Sequence, residues 1–279
     1  MSHEARKANH NSESFIGIIP AAGQGARLGS LRSPKELVPI AFLADLPSGE
    51  LRPMVVAEYS LRAFRDANVR KCIVVVNDRK PEILRYFGNG SDFGLSIAYV
   101  NQPSAQGLAS AIDNAFEWTG DLNVCVALPD SVFTPRNSVA IVNQSLISLG
   151  VDAVLGVFPT SVPEQLAPVR IGDGGRVIEV IDKPSQSAIR NTWGIAAWRA
   201  NFSRFLHLEV IQSSHISLSK VFEDAIHQGL DIRAVHFELG SYTDIGTAEN
   251  LAAMIFKKPQ DLDDPQEISV FGTRHISMG

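Results

Sequence analysis

The sequence of 279 residues is poor in cysteine and contains no long apolar run. Its two cysteines, Cys72 and Cys125, each lie in a short apolar segment, and we expect both in the core. Their number and spacing fit neither a disulfide framework nor a zinc motif. No stretch of about 18 apolar residues occurs, and the first fourteen residues lack the apolar centre of a signal peptide. We therefore expect a cytoplasmic protein that does not enter a membrane.

An excess of basic residues is also missing, since 25 Lys+Arg stand against 30 Asp+Glu and give a net charge of −5. General nucleic-acid-binding proteins are usually basic, so we expect no nucleic-acid partner. The apolar content of 45%, with 21 Gly and 15 Pro, is ordinary for a globular protein and excludes disordered and collagen-like chains.

Two common catalytic signatures are absent as well. No serine lies in a Gly-x-Ser-x-Gly elbow, and the seven histidines include no His-Glu-x-x-His pair. We therefore predict a reaction that uses neither a serine nucleophile nor a zinc ion.

Short apolar runs alternate with helical patterns over the first 160 residues. The runs predict strands over 15–19, 72–76, 95–100, 122–128 and 153–158. The amphipathic segments between them predict helices over 55–64, 108–118 and 139–149, and residues 41–52 predict a hairpin. This alternation is typical of an α/β fold, and we predict a Rossmann-like, doubly wound, mostly parallel sheet with helices on both faces.

From residue 161 the pattern changes to an α+β elaboration of the same domain. It predicts a hairpin, two further strands and three helices, over 169–181, 193–198, 232–237, 202–208, 218–228 and 248–257. We predict one domain over 15–258, in two parts that meet near residue 160. A tail of residues 1–14 precedes it, and a loosely attached tail of residues 259–279 follows.

The loop after the first strand is rich in glycine and cations. Gly23 and Gly25 let backbone N–H groups approach a phosphate, while Arg27 and Lys35 add charge suited to phosphate oxygens. Because ligands of such sheets bind beyond the carboxyl ends of the strands, we predict a triphosphate site here. An ordinary turn is the structural alternative. A dinucleotide fingerprint would need glycine where Leu28 stands, and the P-loop motif is absent.

Short motifs of glycine, proline and polar residues also follow several later segments of the chain. The motifs are Gly23-x-Gly25-x-Arg27-Leu28 with Pro34-Lys35-x-Leu37-x-Pro39, Gln102-Pro103 with Gly107-Leu108-Ala109, Pro129-Asp130, Asp182-Lys183-Pro184 and Asp244-Ile-Gly-Thr247. Together they resemble the signature of the sugar-1-phosphate nucleotidyltransferases of the thymidylyl and uridylyl type. This resemblance implies Mg²⁺-dependent nucleotidyl transfer from a nucleoside triphosphate to a sugar 1-phosphate. It makes residues 15–160 the nucleotide-binding part and residues 161–258 the sugar-binding part.

The resemblance assigns the nucleotide to two loops, through Ala22, Gly23, Gly25, Ala26, Gln102 and Gly107. It makes Arg27 and Lys35 catalytic cations on the triphosphate. The amide of Gln102 and the backbone N–H of Gly107 would read a pyrimidine, which favours dTTP or UTP. A simple turn at Pro103 is the structural alternative for this pair.

The resemblance makes Asp130 and Asp244 the ligands of Mg²⁺, a cation that prefers carboxylate and phosphate oxygens. A strand-end cap and a helix N-cap are the structural alternatives for these two residues. The sugar 1-phosphate is assigned to Asp182, Lys183, Trp193 and Gly194, with Lys183 as a third catalytic cation. A solvated lysine and a core aromatic residue are the alternatives for Lys183 and Trp193.

Two positions depart from the family pattern. Ala26 stands where the family usually has threonine, which removes one hydrogen bond to the triphosphate, and Pro129 stands where it usually has glycine. These departures keep two alternatives open: a regulatory paralogue that binds nucleotide or sugar with weak turnover, and a cytidylyltransferase of the same fold. The sequence leaves homo-oligomerisation open.

Overall fold

The computed structural model describes residues 14–23, 33–44, 50–104, 106–213, 216–255 and 267–269. Several sequence predictions lie outside the described residues. They are the roles of Gly25, Ala26 and Arg27, the tip of the hairpin predicted over 41–52, and most of the two predicted tails.

Strands and helices alternate in the first half of the chain, as predicted. The strands are β1 (Phe15–Pro20), β2 (Pro39–Ala44), β3 (Leu51–Val55), β4 (Lys71–Val76), β5 (Ser96–Asn101), β6 (Asn123–Ala127), β7 (Ser131–Thr134) and β8 (Ala153–Pro159). The helices are α1 (Val56–Asp66), α2 (Pro81–Phe87), α3 (Leu108–Asp113), α4 (Phe116–Thr119) and α5 (Ser138–Leu149).

The second half adds six strands and three helices within the described residues. The strands are β9 (Val169–Ile171), β10 (Val177–Val180), β11 (Asn191–Trp198), β12 (Ile232–His236), β13 (Ser241–Asp244) and β14 (Glu267–Ser269). The helices are α6 (Ala200–Gln212), α7 (Leu218–His227) and α8 (Ala248–Ile255). β9 and β10 form the predicted hairpin.

The prediction of one helix over 108–118 is wrong, because α3 and α4 are separate. Asn114 donates from Nδ2 to the carbonyl of Ser110 at 2.7 Å, and Ala115 N bonds the carbonyl of Ile112, three residues back, at 3.0 Å. This tighter turn ends α3. Within the predicted C-terminal tail, the described residues of β14 pair with β2, and the loose attachment of the tail stays a prediction. The sequence analysis did not predict β7, β13 or α2.

The central sheet has seven strands in the order β12-β8-β11-β6-β1-β4-β5. Only β11 runs antiparallel to its neighbours in this sheet; the other pairs are parallel. The predicted α/β fold with a mostly parallel sheet is confirmed. The carboxyl ends of β1, β4, β5 and β6 meet at one edge, where polar segments of the sequence follow the strands. The division into a nucleotide part and a sugar part stays a prediction.

Two apolar clusters cover the two faces of this sheet. Alternate residues of β1 belong to different clusters: Ile19 packs on one face and Ile18 on the other, as the two-residue period of a strand requires. Cys72 and Cys125 are buried free thiols, as predicted. Burial raises the pKa of Cys125 to about 12, so this thiol stays protonated at neutral pH.

The centre of the sheet tolerates no side chain at Gly17 on β1. A Cβ atom there would lie 2.6 Å from two ring atoms of Phe64, which is fully buried. We predict that Gly17→Ala lowers the free energy of unfolding by about 1–3 kcal/mol, measured by urea denaturation. Adding Phe64→Leu should make the cost of Gly17→Ala smaller, because the clashing ring is gone. An unchanged midpoint for Gly17→Ala would contradict this account.

Candidate active site

A cavity of about 460 Å³ opens beyond the carboxyl ends of β1, β5 and β6. The predicted site residues that line it are Gly23, Lys35, Gln102, Gly107, Asp130, Asp182, Lys183, Trp193 and Asp244. These residues come from all of the motifs singled out in the sequence. Ala22 and Gly194 are not among the lining residues.

One wall of the cavity is formed by the loops after β1 and β5. Gly107 has φ of +97°, a conformation that glycine adopts without strain, and it lies directly before α3. Gln102 is buried, and its Nε2 donates to Ser110 Oγ at 3.1 Å. Ala22 lies buried beside Gly23, where Asn77 Nδ2 donates to its carbonyl at 2.6 Å. The base-reading pair predicted from the sequence therefore faces the cavity, and Asn77 holds Ala22 at the end of the described segment after β1.

A buried ion pair connects this wall to the end of β4. Lys80 Nζ lies 2.7 Å from Glu36 Oε1 and donates to the carbonyl of Ala21 at 3.0 Å. Burial raises the pKa of Glu36, and the charge of Lys80 opposes that rise. Glu36 Oε2 is buried without a hydrogen-bond partner among the described residues. Lys80 thus connects the segment directly after β1 to the turn that carries Lys35 and Glu36.

Asp130 and Asp244 reach the same cavity through the pairing of β7 with β13. Asp244 lies opposite Ser131, and Ile245 N donates to the carbonyl of Asp130 at 2.9 Å. The N-cap alternative for Asp244 is wrong, because Thr247 precedes α8 and its Oγ1 accepts from Asn250 N at 3.2 Å. Asp244 Oδ1 instead accepts from Gly246 N at 2.6 Å.

Lys35 forms a largely buried ion pair with Asp130. Burial alone would lower the pKa of Lys35, but the charge and hydrogen bond of Asp130, with help from Glu36 and Asp244, raise it overall. A cation is thus already held by one of the two predicted metal ligands and is attracted by the charge of the other. No group of three or more His, Cys, Asp or Glu residues within the described ranges could hold a metal. Two carboxylates fit Mg²⁺ that takes its remaining ligands from substrate phosphate and water.

A partly buried tyrosine lines the cavity near the two carboxylates. The hydroxyl of Tyr242 lies 2.7 Å from Ser131 Oγ, and burial, followed by the charges of Asp244 and Asp130, raises its pKa. Its hydroxyl is therefore neutral. A Cβ atom on Gly194 would lie 2.4 Å from the Tyr242 ring, so Gly194 makes room for this ring where β11 has an irregular register.

The opposite wall holds the residues predicted for the sugar phosphate. Asp182 and Lys183 are exposed side chains on the cavity rim. Lys183 has φ of +44°, and its N–H donates to the carbonyl of Leu166 at 2.9 Å. A left-handed conformation is uncommon for lysine and is often found at functional sites. Trp193 packs edge-on against Phe222, with ring centroids 5.7 Å apart.

Sequence reasoning missed several residues that shape this site. Glu36, Lys80, Ser110 and Tyr242 were not predicted, and neither was the cavity wall formed by Ile216–Ser219 before and in the first turn of α7. Lys80 follows the polar end of β4, and the rule that located Gln102 after β5 could have located Lys80. Tyr242 lies two residues before Asp244, but the strand that orients it was not predicted.

The Glu36–Lys80 pair gives a prediction about stability. Lys80→Met leaves a buried, uncompensated carboxylate and should lower the free energy of unfolding by about 3–5 kcal/mol, measured by urea denaturation. Glu36→Gln in the same chain should recover most of this loss, because the buried charge is gone. Lys220→Met is the matched control: Lys220 bonds Glu223 and Asp224 on the exposed surface, where solvent weakens the pairs. Equal losses for Lys80→Met and Lys220→Met would contradict the assignment.

Comparisons with known proteins show the family to which the chain is similar over most of its length. The family model described as nucleotidyl transferase matches residues 16–260. The chain is 29% identical over 182 residues to the glucose-1-phosphate thymidylyltransferase of Neisseria meningitidis, covering 64% of this chain and 58% of the relative. It is 25% identical over 240 residues to a low-salt glycan biosynthesis nucleotidyltransferase of Haloferax volcanii, covering 84% and 63%. The chain spans about three fifths of the length of these relatives.

A solved structure shows the same fold. It is a Bacillus anthracis protein, assigned as a glucose-1-phosphate thymidylyltransferase and crystallised with sucrose. The TM-score is 0.74 at 18% identity, covering 86% of this chain and 94% of that one. In the part of the chain that the structure describes, no helix is long and apolar enough to span a membrane.

Proposed function

The chain belongs to the nucleotidyl transferase family, and we propose that it joins a nucleoside triphosphate to a sugar 1-phosphate, releasing pyrophosphate. The family predicted from the sequence motifs is confirmed. One observation carries the proposed reaction: a single cavity gathers glycines, an amide, cations and two carboxylates from motifs between residues 23 and 244. This set matches what a triphosphate, a pyrimidine and a second phosphate would each require.

The chemistry needs no nucleophile from the protein. A phosphate oxygen of the sugar 1-phosphate is already anionic and attacks the α-phosphorus of the triphosphate. The new P–O bond forms as the bond to the pyrophosphate oxygen breaks, and pyrophosphate leaves with that electron pair. The protein contributes by aligning the two phosphates and neutralising the charge that develops between them.

The cations of the site fit this task. Lys35 lies on the side of the cavity formed by the predicted nucleotide loop, and Lys183 lies on the rim assigned to the sugar phosphate. Arg27 lies outside the described residues and stays a predicted triphosphate ligand. Asp182 and Trp193 would contact the sugar, and Gly194 would act indirectly by leaving room for Tyr242 in the cavity wall.

Mg²⁺ is the cofactor that this arrangement implies, and Asp130 and Asp244 would hold it. Bound there, the ion would neutralise the α-phosphate and align the reacting groups. The support comes from the donor set: two carboxylates at adjacent strand ends already attract the ammonium of Lys35. Lys35 would balance these carboxylates before substrate arrives and contribute positive charge to the phosphates afterwards.

A matrix of nucleoside triphosphates against sugar 1-phosphates, scored by pyrophosphate release, tests the proposed reaction. Turnover with at least one pair would support it. Tight nucleotide binding with no turnover in any pair would favour the regulatory alternative, and fastest turnover with CTP would favour the cytidylyltransferase.

We predict that Asp130→Asn and Asp244→Asn each slow turnover by about two orders of magnitude or more, because a charge-stabilising contribution of several kcal/mol is lost. Each variant should also weaken binding of Mn²⁺ with nucleotide, measured by electron paramagnetic resonance. Asp121→Asn, which alters an exposed carboxylate paired with Arg204, is the control. Wild-type Mn²⁺ affinity in both site variants would rule out this metal site.

We further predict that dTTP or UTP is preferred over ATP and GTP. A glutamine amide both accepts and donates, so Gln102 can match the adjacent N–H and carbonyl of thymine or uracil. Gln102→Glu should shift preference toward CTP, because a carboxylate accepts from the cytosine amino group. The measurement is kcat/KM for each nucleotide with one sugar 1-phosphate. Fastest turnover with a purine nucleotide, or base preference that Gln102→Glu leaves unchanged, would contradict this prediction.

A further inference from the structure

We propose that Ser110 and Gln106 form a hydrogen-bond relay that fixes the orientation of the Gln102 amide, that is, the positions of its oxygen and nitrogen relative to the cavity. By doing so, they discriminate uracil or thymine from cytosine. The inference rests on the proposed function, in which Gln102 reads a pyrimidine base, and it adds two residues that do not themselves touch the base.

The relay is a continuous chain of three side chains. Gln102 Nε2 donates to Ser110 Oγ at 3.1 Å, and Ser110 Oγ donates to Gln106 Oε1 at 3.3 Å. Gln102 is 3% exposed and Ser110 is 5% exposed, so water competes little for these bonds. Asn114 Nδ2 also holds the carbonyl of Ser110 at 2.7 Å, which anchors the middle of the relay in α3.

The relay has a direction because a serine hydroxyl carries a single proton and Gln106 presents its Oε1 to that proton. With that proton donated to Gln106 Oε1, the oxygen of Ser110 can only accept from Gln102. The group of Gln102 that faces Ser110 must therefore be its amino group. Its carbonyl Oε1 has no partner among the described residues and remains for a ligand, together with the second N–H.

Amide direction matters because pyrimidines differ in the order of their polar groups. Uracil and thymine present a donor at N3 and a carbonyl acceptor at C4, whereas cytosine presents an acceptor at N3 and an amino donor at C4. Gly107, which lines the same wall, would hold the remaining carbonyl and so fix the position of the base. A Gln102 amide locked in one direction then matches one order and opposes the other. A freely turning amide would match both.

Ser110 and Gln106 act through Gln102 and are positioning residues. Gln102 lines the cavity, whereas neither Ser110 nor Gln106 is among its lining residues. Gln106 is half-buried next to Gly107 and interacts with the relay through its side-chain oxygen. Changing either residue should therefore alter base discrimination more than the chemical step.

The first experiment compares Ser110→Ala with Ser110→Thr and Ser203→Ala. Ser203 is the matched control: it is also helical and buried at 6% exposure, and its Oγ accepts from a side-chain N–H, Trp198 Nε1, at 2.9 Å. The readouts are the UTP-to-CTP ratio of kcat/KM and the ratio of the two nucleotide affinities by calorimetry. We expect Ser110→Ala to reduce both ratios about tenfold, with kcat for UTP nearly unchanged. Ser110→Thr and Ser203→Ala should keep the wild-type ratios.

The second experiment reverses the relay at Gln106, which leaves the buried serine in place. Gln106→Lys offers only a donor, so Ser110 would accept from the lysine and donate to Oε1 of Gln102. The amide would turn over, and preference should move toward CTP. Gln106→Glu keeps the acceptor and should keep the wild-type preference.

Gln102→Ala separates failure of the relay from failure of the proposed function. If Gln102→Ala abolishes discrimination while Ser110→Ala and Gln106→Lys both retain it, the relay is overturned and base reading by Gln102 stands. If Gln102→Ala itself retains discrimination, base reading by Gln102 fails and the relay fails with it. A wild-type protein that does not distinguish UTP from CTP also overturns the relay, whereas absence of turnover with every substrate pair overturns the proposed function.

Discussion

Asp130 and Asp244 face one cavity because β7 and β13 pair antiparallel, with Asp244 opposite Ser131. This short pairing brings β7, which directly follows β6, next to β13, which lies far later in the sequence. The bond from Ile245 N to the carbonyl of Asp130 closes it. Two carboxylates brought together in this way repel each other, and the site is stable because Lys35 lies with them. The pairing thus determines where a cation, and the phosphates that accompany it, would be held.

The electrostatic balance extends below the cavity through a second buried pair. Lys80 balances the charge of Glu36, which is adjacent to Lys35 in sequence. It also donates to the carbonyl of Ala21, directly after β1. Each buried cation therefore satisfies a carboxylate and also positions backbone or side chains at a strand end. Such pairs contribute little net stability compared with apolar residues, but breaking one leaves a costly unpaired charge. Their physical effect here is to fix the positions of the chain segments that follow the strand ends around the cavity.

The central sheet could be predicted because its strands are buried on both faces and appear as continuous apolar runs. The first predicted strand and the segment Cys72–Val76 correspond to β1 and β4 for this reason. β7 and β13 could not be predicted in the same way, since each has only four residues: β7 has a hydroxyl residue at each end, and β13 consists of serine, tyrosine, threonine and aspartate. The break between α3 and α4 involves a side-chain bond from Asn114 to the carbonyl of Ser110, and the apolar periodicity of a helix cannot predict such a bond.

The same distinction explains which parts of the candidate site could be predicted. Gly23, Gln102 and Asp130, which line the cavity, follow strand ends or lie in glycine turns, so they could be located from position alone. Residues that orient them depend on tertiary contacts between distant segments, as Tyr242 does with Ser131. The space that the Tyr242 ring occupies exists because Gly194 on β11 has no side chain. Gly194 affects the site through the room that it leaves for Tyr242, which lines the cavity, and a sequence motif alone cannot separate that role from direct contact with a sugar.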